Sequence, residues 1–200
     1  MEIKDYWDEF YKKNIVLKSE SDFAKSTLKY IEEKNLHNNK LIDVACGNGR
    51  DTFYFSRNGI QSTGIDISVH PKADNPIFLK ENILTFDYSD FQIIYLRFII
   101  HALKEVDLDK LLKRLKLAHK DQYLFIETRS SKGITDKDKS ETFFKSSVGE
   151  EHFRMLYSES YLTKKLNNFF HIEKVEENKG FSIYKNEDPV CIRYILKSKK

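Results

Sequence analysis

Sulfur is scarce in this chain: its 200 residues hold two cysteines, Cys46 and Cys191, and two methionines. Two widely separated cysteines cannot build a disulfide framework or a cysteine-based zinc site, so a reducing compartment, the cytoplasm, is expected. Proline is almost as rare, at three residues, and no proline- or glycine-rich stretch marks a linker, so residues 1–200 are expected to form one domain. No apolar run approaches the roughly 18 residues of a membrane-spanning helix. The start, Met1-Glu-Ile-Lys-Asp-Tyr-Trp7, lacks the cationic and apolar segments of a secretory leader. Nor does either charge dominate. Basic residues number 34 against 31 acidic ones, a net charge of +3, which argues against a general nucleic-acid binder. Lys197-Ser-Lys-Lys200 reads as a solvated tail. No Asp, Glu or His cluster has metal-ligand spacing, so no metal is expected.

What the chain does have is Leu41-Ile-Asp-Val-Ala-Cys-Gly-Asn-Gly-Arg-Asp51. Leu41 to Ala45 reads as a short buried strand, and Gly47 and Gly49 give a turn where backbone can approach a ligand without a Cβ in the way. The turn opens a helix whose first N–H groups favour polar or anionic ligand atoms. Phe53, Tyr54 and Phe55 continue it, and Asn58-Gly59 ends it. A second strand, Gln61 to Asp66, completes a βαβ unit. Asp66 ends that strand about 20 residues after the glycines, where a carboxylate can accept from both hydroxyls of a ribose. Dinucleotide sites favour a third glycine in such a turn, and here that slot holds Thr52.

With Thr52 in that slot, the stretch resembles motif I of the class I S-adenosylmethionine-dependent methyltransferases, roughly Asp-x-Gly-Cys-Gly-x-Gly-x-Asp, with Ala45 in place of a glycine. The resemblance implies S-adenosyl-L-methionine as cofactor, contacted by Asp43, Ala45, Cys46, Gly47, Gly49, Arg50 and Asp51, with Asp66 on the ribose and Ile67 beside it. It also implies that Asn82, with Ile83, meets the adenine amino group after a third strand, Ile77-Phe-Leu-Lys, while a turn residue is the plain reading of Asn82. Tyr95 is implied as a further cofactor contact. Around Tyr6-Trp7-Asp-Glu-Phe10-Tyr11 the resemblance suggests a lid helix, within an N-terminal cover of residues 1–35, in which Trp7 or Tyr11 shields the sulfonium; an ordinary amphipathic helix is the alternative.

Further elements alternate between strand and helix. Asp22 to Lys34 is amphipathic, with Ser21 or Asp22 as its N-cap. Phe91–Leu96 and Tyr123–Thr128 are continuous apolar strands separated by Leu108, Leu111, Leu112 and Leu115 at helical spacing, and His171–Glu177 with Val190–Leu196 form a closing pair. The expected fold is α/β, a three-layer Rossmann-like sandwich with the ligand at the strands' carboxyl ends. The resemblance adds a seven-stranded, mostly parallel sheet whose last strand is antiparallel.

Substrate residues are sought after the other strands: Arg97-Phe-Ile-Ile-His101, Glu127-Thr-Arg129, and Glu150-Glu-His-Phe-Arg154 in an insertion over 130–165. These clusters resemble a set found in small bacterial methyltransferases, some associated with surface-polysaccharide or nucleotide-sugar functions. Arg97, Arg129 and Arg154 converging, with Glu127 beside them, would hold a small phosphorylated or carboxylated substrate; the alternative is local pairing, Arg129 with Glu127 or Arg154 with Glu150. His101 or its rival His152 would be the general base. No Asn-Pro-Pro-Tyr type motif follows the fourth strand, where Tyr95-Leu-Arg97-Phe98 stands, so an oxygen acceptor is expected over nitrogen. Two readings from other classes stay open, a nicotinamide oxidoreductase sharing the βαβ unit and a non-catalytic cofactor-binding subunit; RNA methylation is weaker, given the balanced charge.

Overall fold

Apolar side chains with a period of two on both faces of a strand call for helices on both sides of the sheet. In β4 (Ile93–Arg97), Ile94 and Leu96 enter one core cluster while Ile93 and Tyr95 enter a second. In β5 (Tyr123–Arg129), Leu124 and Ile126 join the first cluster and Phe125 the second. The first cluster is closed by α3 (Glu105–Ala118) through Leu108, Leu111, Leu112 and Leu115, and by α4 (Glu159–Asn167) through Leu162 and Leu166. The second is closed by α1 (Asp22–Glu33) through Phe23, Ala24, Leu28 and Ile31, and by α2 (Arg50–Arg57) through Phe55. The computed structural model describes residues 19–68, 71–118, 120–144, 151–184 and 186–199, and Phe144 by its backbone alone. Trp7, Tyr11 and Glu150 lie outside the described residues.

The remaining strands of the main sheet are β1 (Leu41–Val44), β2 (Ser62–Asp66), β3 (Ile77–Lys80), β8 (Phe170–Asn178) and β9 (Cys191–Ser198). They assemble in the order β3-β2-β1-β4-β5-β9-β8. Pairs β2–β3, β1–β2, β1–β4 and β4–β5 are parallel, whereas β9 runs antiparallel to both β5 and β8. The seven-stranded sheet with its last strand reversed is therefore present, and β9 lies between β5 and β8. Strand order reverses between β1 and β4, which opens a crevice at their carboxyl ends.

Residues 130–165 contain more than an insertion loop. Lys139–Phe144 (β6) and His152–Tyr157 (β7) form a separate antiparallel pair, and α4 follows, capped by the Ser158 hydroxyl. Register pairs Thr142 with Arg154 and Phe143 with Phe153. Because side chains alternate across a strand, Arg154 shares a face with His152, while Phe153 and the exposed Phe143 take the other. A short 3-10 turn, Ile100–Ala102, follows β4 and packs against β7. Among the described residues no helix is long and apolar enough to cross a membrane.

Candidate active site

The turn after β1 is made by backbone that L-residues seldom adopt. Ala45, Gly47 and Gly49 have φ of 60°, 56° and 71°, so Ala45 bears a cost of roughly 1 kcal/mol that glycine would not. Cys46 N–H reaches Ile65 O at 3.0 Å, and Gly47 N–H donates to Asp66 Oδ2 at 2.9 Å. The other Asp66 oxygen accepts from the Ser68 N–H and hydroxyl, at 2.9 and 2.8 Å. The carboxylate is thereby fixed beside the turn, with half-buried Ile67 next to it. α1 and α4 have serine caps, whereas no side chain caps α2 (Arg50–Arg57), whose N-cap residue is Gly49. Behind the turn, Thr52 donates to buried Asp43 at 2.6 Å. Burial, then the charge of Asp51, push the Asp43 carboxyl up to about 7. Burial, with the charges of Asp43 and Asp66, also raises the Cys46 thiol pKa, so Cys46 stays protonated.

Several expected cofactor contacts have other employment. Asp51 accepts from Ser21 N–H and Oγ at 2.7 Å each and from Tyr95 Oη at 2.9 Å. Tyr95 exposes none of its surface, its ring packed with Phe23 and Phe55. Asp51 and Tyr95 thus lock α1 onto the start of α2, and in this conformation Tyr95 offers a ligand nothing. Arg50 donates to Ser19 O at 3.1 Å and stands 3.9 Å from Asp51. Asn82 behaves as the plain turn residue: its side-chain carbonyl accepts from Leu84 N–H at 2.9 Å, and its backbone carbonyl takes Thr85 and Phe86 N–H. Ile83 is buried in the first core cluster.

At the ends of β4, β5 and β9 the arginines meet. Fully buried Glu127 accepts from Arg97 at 3.0 Å through one oxygen and from Arg193 at 2.7 Å through the other. The pairing of Arg193 with Glu127 was not foreseen. The two are partners in the β5–β9 register, a contact between residues far apart in sequence that no local motif announces. Glu127 holds guanidinium groups in place, with both oxygens in use. Arg97 lies 4.5 Å from the centre of the Phe98 ring, and Phe98 itself has φ 60°. Arg129 pairs with Glu187 at 3.1 Å, not with Glu127.

His101, in the 3-10 turn, is 1% exposed. Its Nδ1 accepts from Arg129 N–H at 3.1 Å and lies 3.0 Å from Thr128 Oγ1. An acceptor Nδ1 puts the ring proton on Nε2. Burial, reinforced by the charges of Arg154, Arg129, His152 and Arg97, holds the imidazole pKa well below 6.5. The expected general-base role for His101 does not fit this ring, because the lone pair a base would use already meets a backbone donor. Packing of the 3-10 turn against β5 and β7 brings the clusters after β4, after β5 and on β7 together.

An open α/β sheet with a reversed strand beside the last parallel one, a glycine turn tied to an acidic strand end, and a second polar cluster across the crevice define the class I S-adenosylmethionine-dependent methyltransferase fold. Residues 17–169 match the family described as methyltransferase domain. The chain belongs to that family and is an S-adenosylmethionine-dependent methyltransferase in fold and family, which sets the nicotinamide reading aside. Solved structures agree on the fold. The Burkholderia thailandensis 1,6-didemethyltoxoflavin N1-methyltransferase, bound to that compound and S-adenosylhomocysteine, superposes with TM-score 0.69 at 15% identity, over 90% of this chain and 80% of its own. A Methanosarcina mazei S-adenosylmethionine-dependent methyltransferase gives 0.67 at 14% identity, over 84% and 96%. A glycopeptide N-methyltransferase with S-adenosylhomocysteine gives 0.65 at 12% identity, over 92% and 94%. By sequence, no curated protein matches the chain.

Proposed function

We propose that this methyltransferase O-methylates a small anionic molecule, one carrying a phosphate or carboxylate. The observation that carries the reading is that the 3-10 turn of His101 packs against β5 and β7, which gathers the arginines of β4, β5 and β7, Arg97, Arg129 and Arg154, around one element. Guanidinium groups bind phosphate and carboxylate in a planar, two-point fashion that few neutral ligands can match. Surface-polysaccharide precursors such as nucleotide-activated sugars and uronic acids have this chemistry and form the first acceptor panel. We further propose one domain over residues 1–200 working in the cytoplasm, with residues 1–35 as cofactor cover and 130–165 on the substrate side.

In this reading Ala45, Cys46, Gly47 and Gly49 present backbone to the cofactor, and Asp66 accepts from its ribose hydroxyls with Ile67 alongside. When bound, S-adenosylmethionine supplies an electrophilic methyl group on sulfur. The protein's own part is mostly positioning: the arginines hold the acceptor's anionic end so that its hydroxyl lies in line with the methyl. His101, protonated on Nε2, serves as a fixed donor. His152, on the Arg154 face of β7, takes the acceptor's proton.

The test is methyl transfer from S-adenosylmethionine to that panel, with S-adenosylhomocysteine affinity measured in parallel. Arg129→Ala and Arg154→Ala should each raise the acceptor KM about tenfold or more, the worth of one charge-assisted contact, and leave S-adenosylhomocysteine affinity unchanged. Acceptors without an anionic group turning over as well as charged ones would overturn the substrate class. Cofactor binding with no turnover on any acceptor would favour the non-catalytic subunit.

A further inference from the structure

The connection between β8 and β9 supplies an acceptor to three of the site's arginines. Arg193 donates to Phe181 O at 2.8 Å and stacks 4.2 Å from the Phe181 ring. Arg97 donates to Ser182 Oγ at 3.1 Å. Arg129 meets Glu187 Oε2 at 3.1 Å. Two of these acceptors are neutral and one is a carboxylate. Glu187 is set by a short turn in which Tyr184 and Glu187 exchange backbone hydrogen bonds, at 3.0 and 2.9 Å.

The two carboxylates among these arginines differ in kind. Glu127 comes from the middle of the sheet, is wholly buried and bridges Arg97 and Arg193, so it belongs to the framework. Glu187 comes from a loop and its side chain is 24% exposed, whereas Arg129, at 14%, is as buried as Arg193. A carboxylate on that guanidinium has the charge and geometry of the ligand group that Arg129 would bind. Unlike Glu127, it reaches solvent, so its carboxylate can be rehydrated when an incoming anion takes its place on Arg129.

We propose that Glu187 is a specificity-determining residue: it occupies the Arg129 anion position until substrate displaces it. The inference rests on the anionic-substrate reading. In the resting protein Glu187 keeps Arg129 oriented and satisfied. An incoming phosphate or carboxylate must outcompete it, and a neutral molecule cannot. Glu187 thus screens acceptors by charge and keeps apparent affinity below what the arginines alone would give.

Calorimetric titration of the full chain with inorganic phosphate, in the presence of S-adenosylhomocysteine, tests this in wild type, Glu187→Gln, Arg129→Ala and the double variant. Glutamine keeps the shape and a hydrogen-bonding carbonyl but removes the charge. Glu187→Gln should bind phosphate about tenfold more tightly than wild type, and adding Arg129→Ala should abolish the gain. Unaltered S-adenosylhomocysteine affinity in each variant reports an intact fold. Equal phosphate affinity in wild type and Glu187→Gln, with Arg129→Ala weakening both, would overturn the role of Glu187 and leave the anion site standing. No phosphate binding to any of the four would overturn both.

Discussion

Asp43 is the residue whose ionisation the fold alters in the most testable way. Its carboxyl rises from 3.8 to about 7, first because it is buried and then because Asp51 is near. A folded state that holds a proton more tightly than the unfolded chain loses stability as pH climbs from the unfolded pKa to the folded one. Between about pH 4 and pH 7, therefore, Asp43 destabilises the protein progressively, and above pH 7 the effect is constant. Asp43→Asn can still accept from Thr52 and does not titrate. Its melting temperature should exceed wild type by an amount that grows from pH 5 to pH 8, on the order of 5 °C; a gap independent of pH would show that Asp43 is ionised throughout. At this scale the sequence was most readable where backbone conformation dictates residue type. Gly47, Gly49 and Asp66 fall where the motif put them. Reading failed where a role depends on partners far along the chain: Arg193 on Glu127, Glu187 on Arg129, and the Arg129 N–H that engages the His101 nitrogen.

Among the elements, the contact of α2 with the sheet depends on two glycines lying near one ring. A Cβ on Gly64 would stand 2.7 Å from Phe78 and 2.8 Å from Cys46 Sγ, and one on Gly49 would stand 2.5 Å from Phe78. Gly49 also has φ 71°, so it is constrained by backbone as well as by space. Gly64→Ala should cost roughly 1–3 kcal/mol by overpacking. In a double-mutant cycle Phe78→Ala should recover at least about 1 kcal/mol of that, while recovering little for Gly49→Ala. Strictly additive effects for Gly64 and Phe78 would mean that the ring does not limit this packing. β1, β4 and β5 were legible because each is an apolar run bounded by turn residues, and β2, Ser-Thr-Gly-Ile-Asp, because it completes the βαβ unit that the glycine turn opens. β6 and β7 were not: they form a pair apart from the main sheet, and β6, Lys-Ser-Glu-Thr-Phe-Phe, has neither an apolar run nor an alternation to mark it as a strand.

For the molecule as a whole, a cofactor that binds only the folded state must stabilise it. S-adenosylhomocysteine at a hundred times its Kd should add about 2.7 kcal/mol, roughly 5–10 °C in Tm for a chain of this size, and NAD should add nothing. A thermal scan with both ligands decides the matter, since a shift with NAD alone would contradict the cofactor. The reversed β9 has a consequence for how the protein is made. β9 is the last of the seven strands to leave the ribosome, yet it lies between β5 and β8. Until it arrives, β5 presents an unpaired edge, β8 has no neighbour in the sheet, and Glu127 lacks Arg193. A chain that folded before β9 emerged would therefore carry an exposed, adhesive edge on β5 and need shielding from its neighbours.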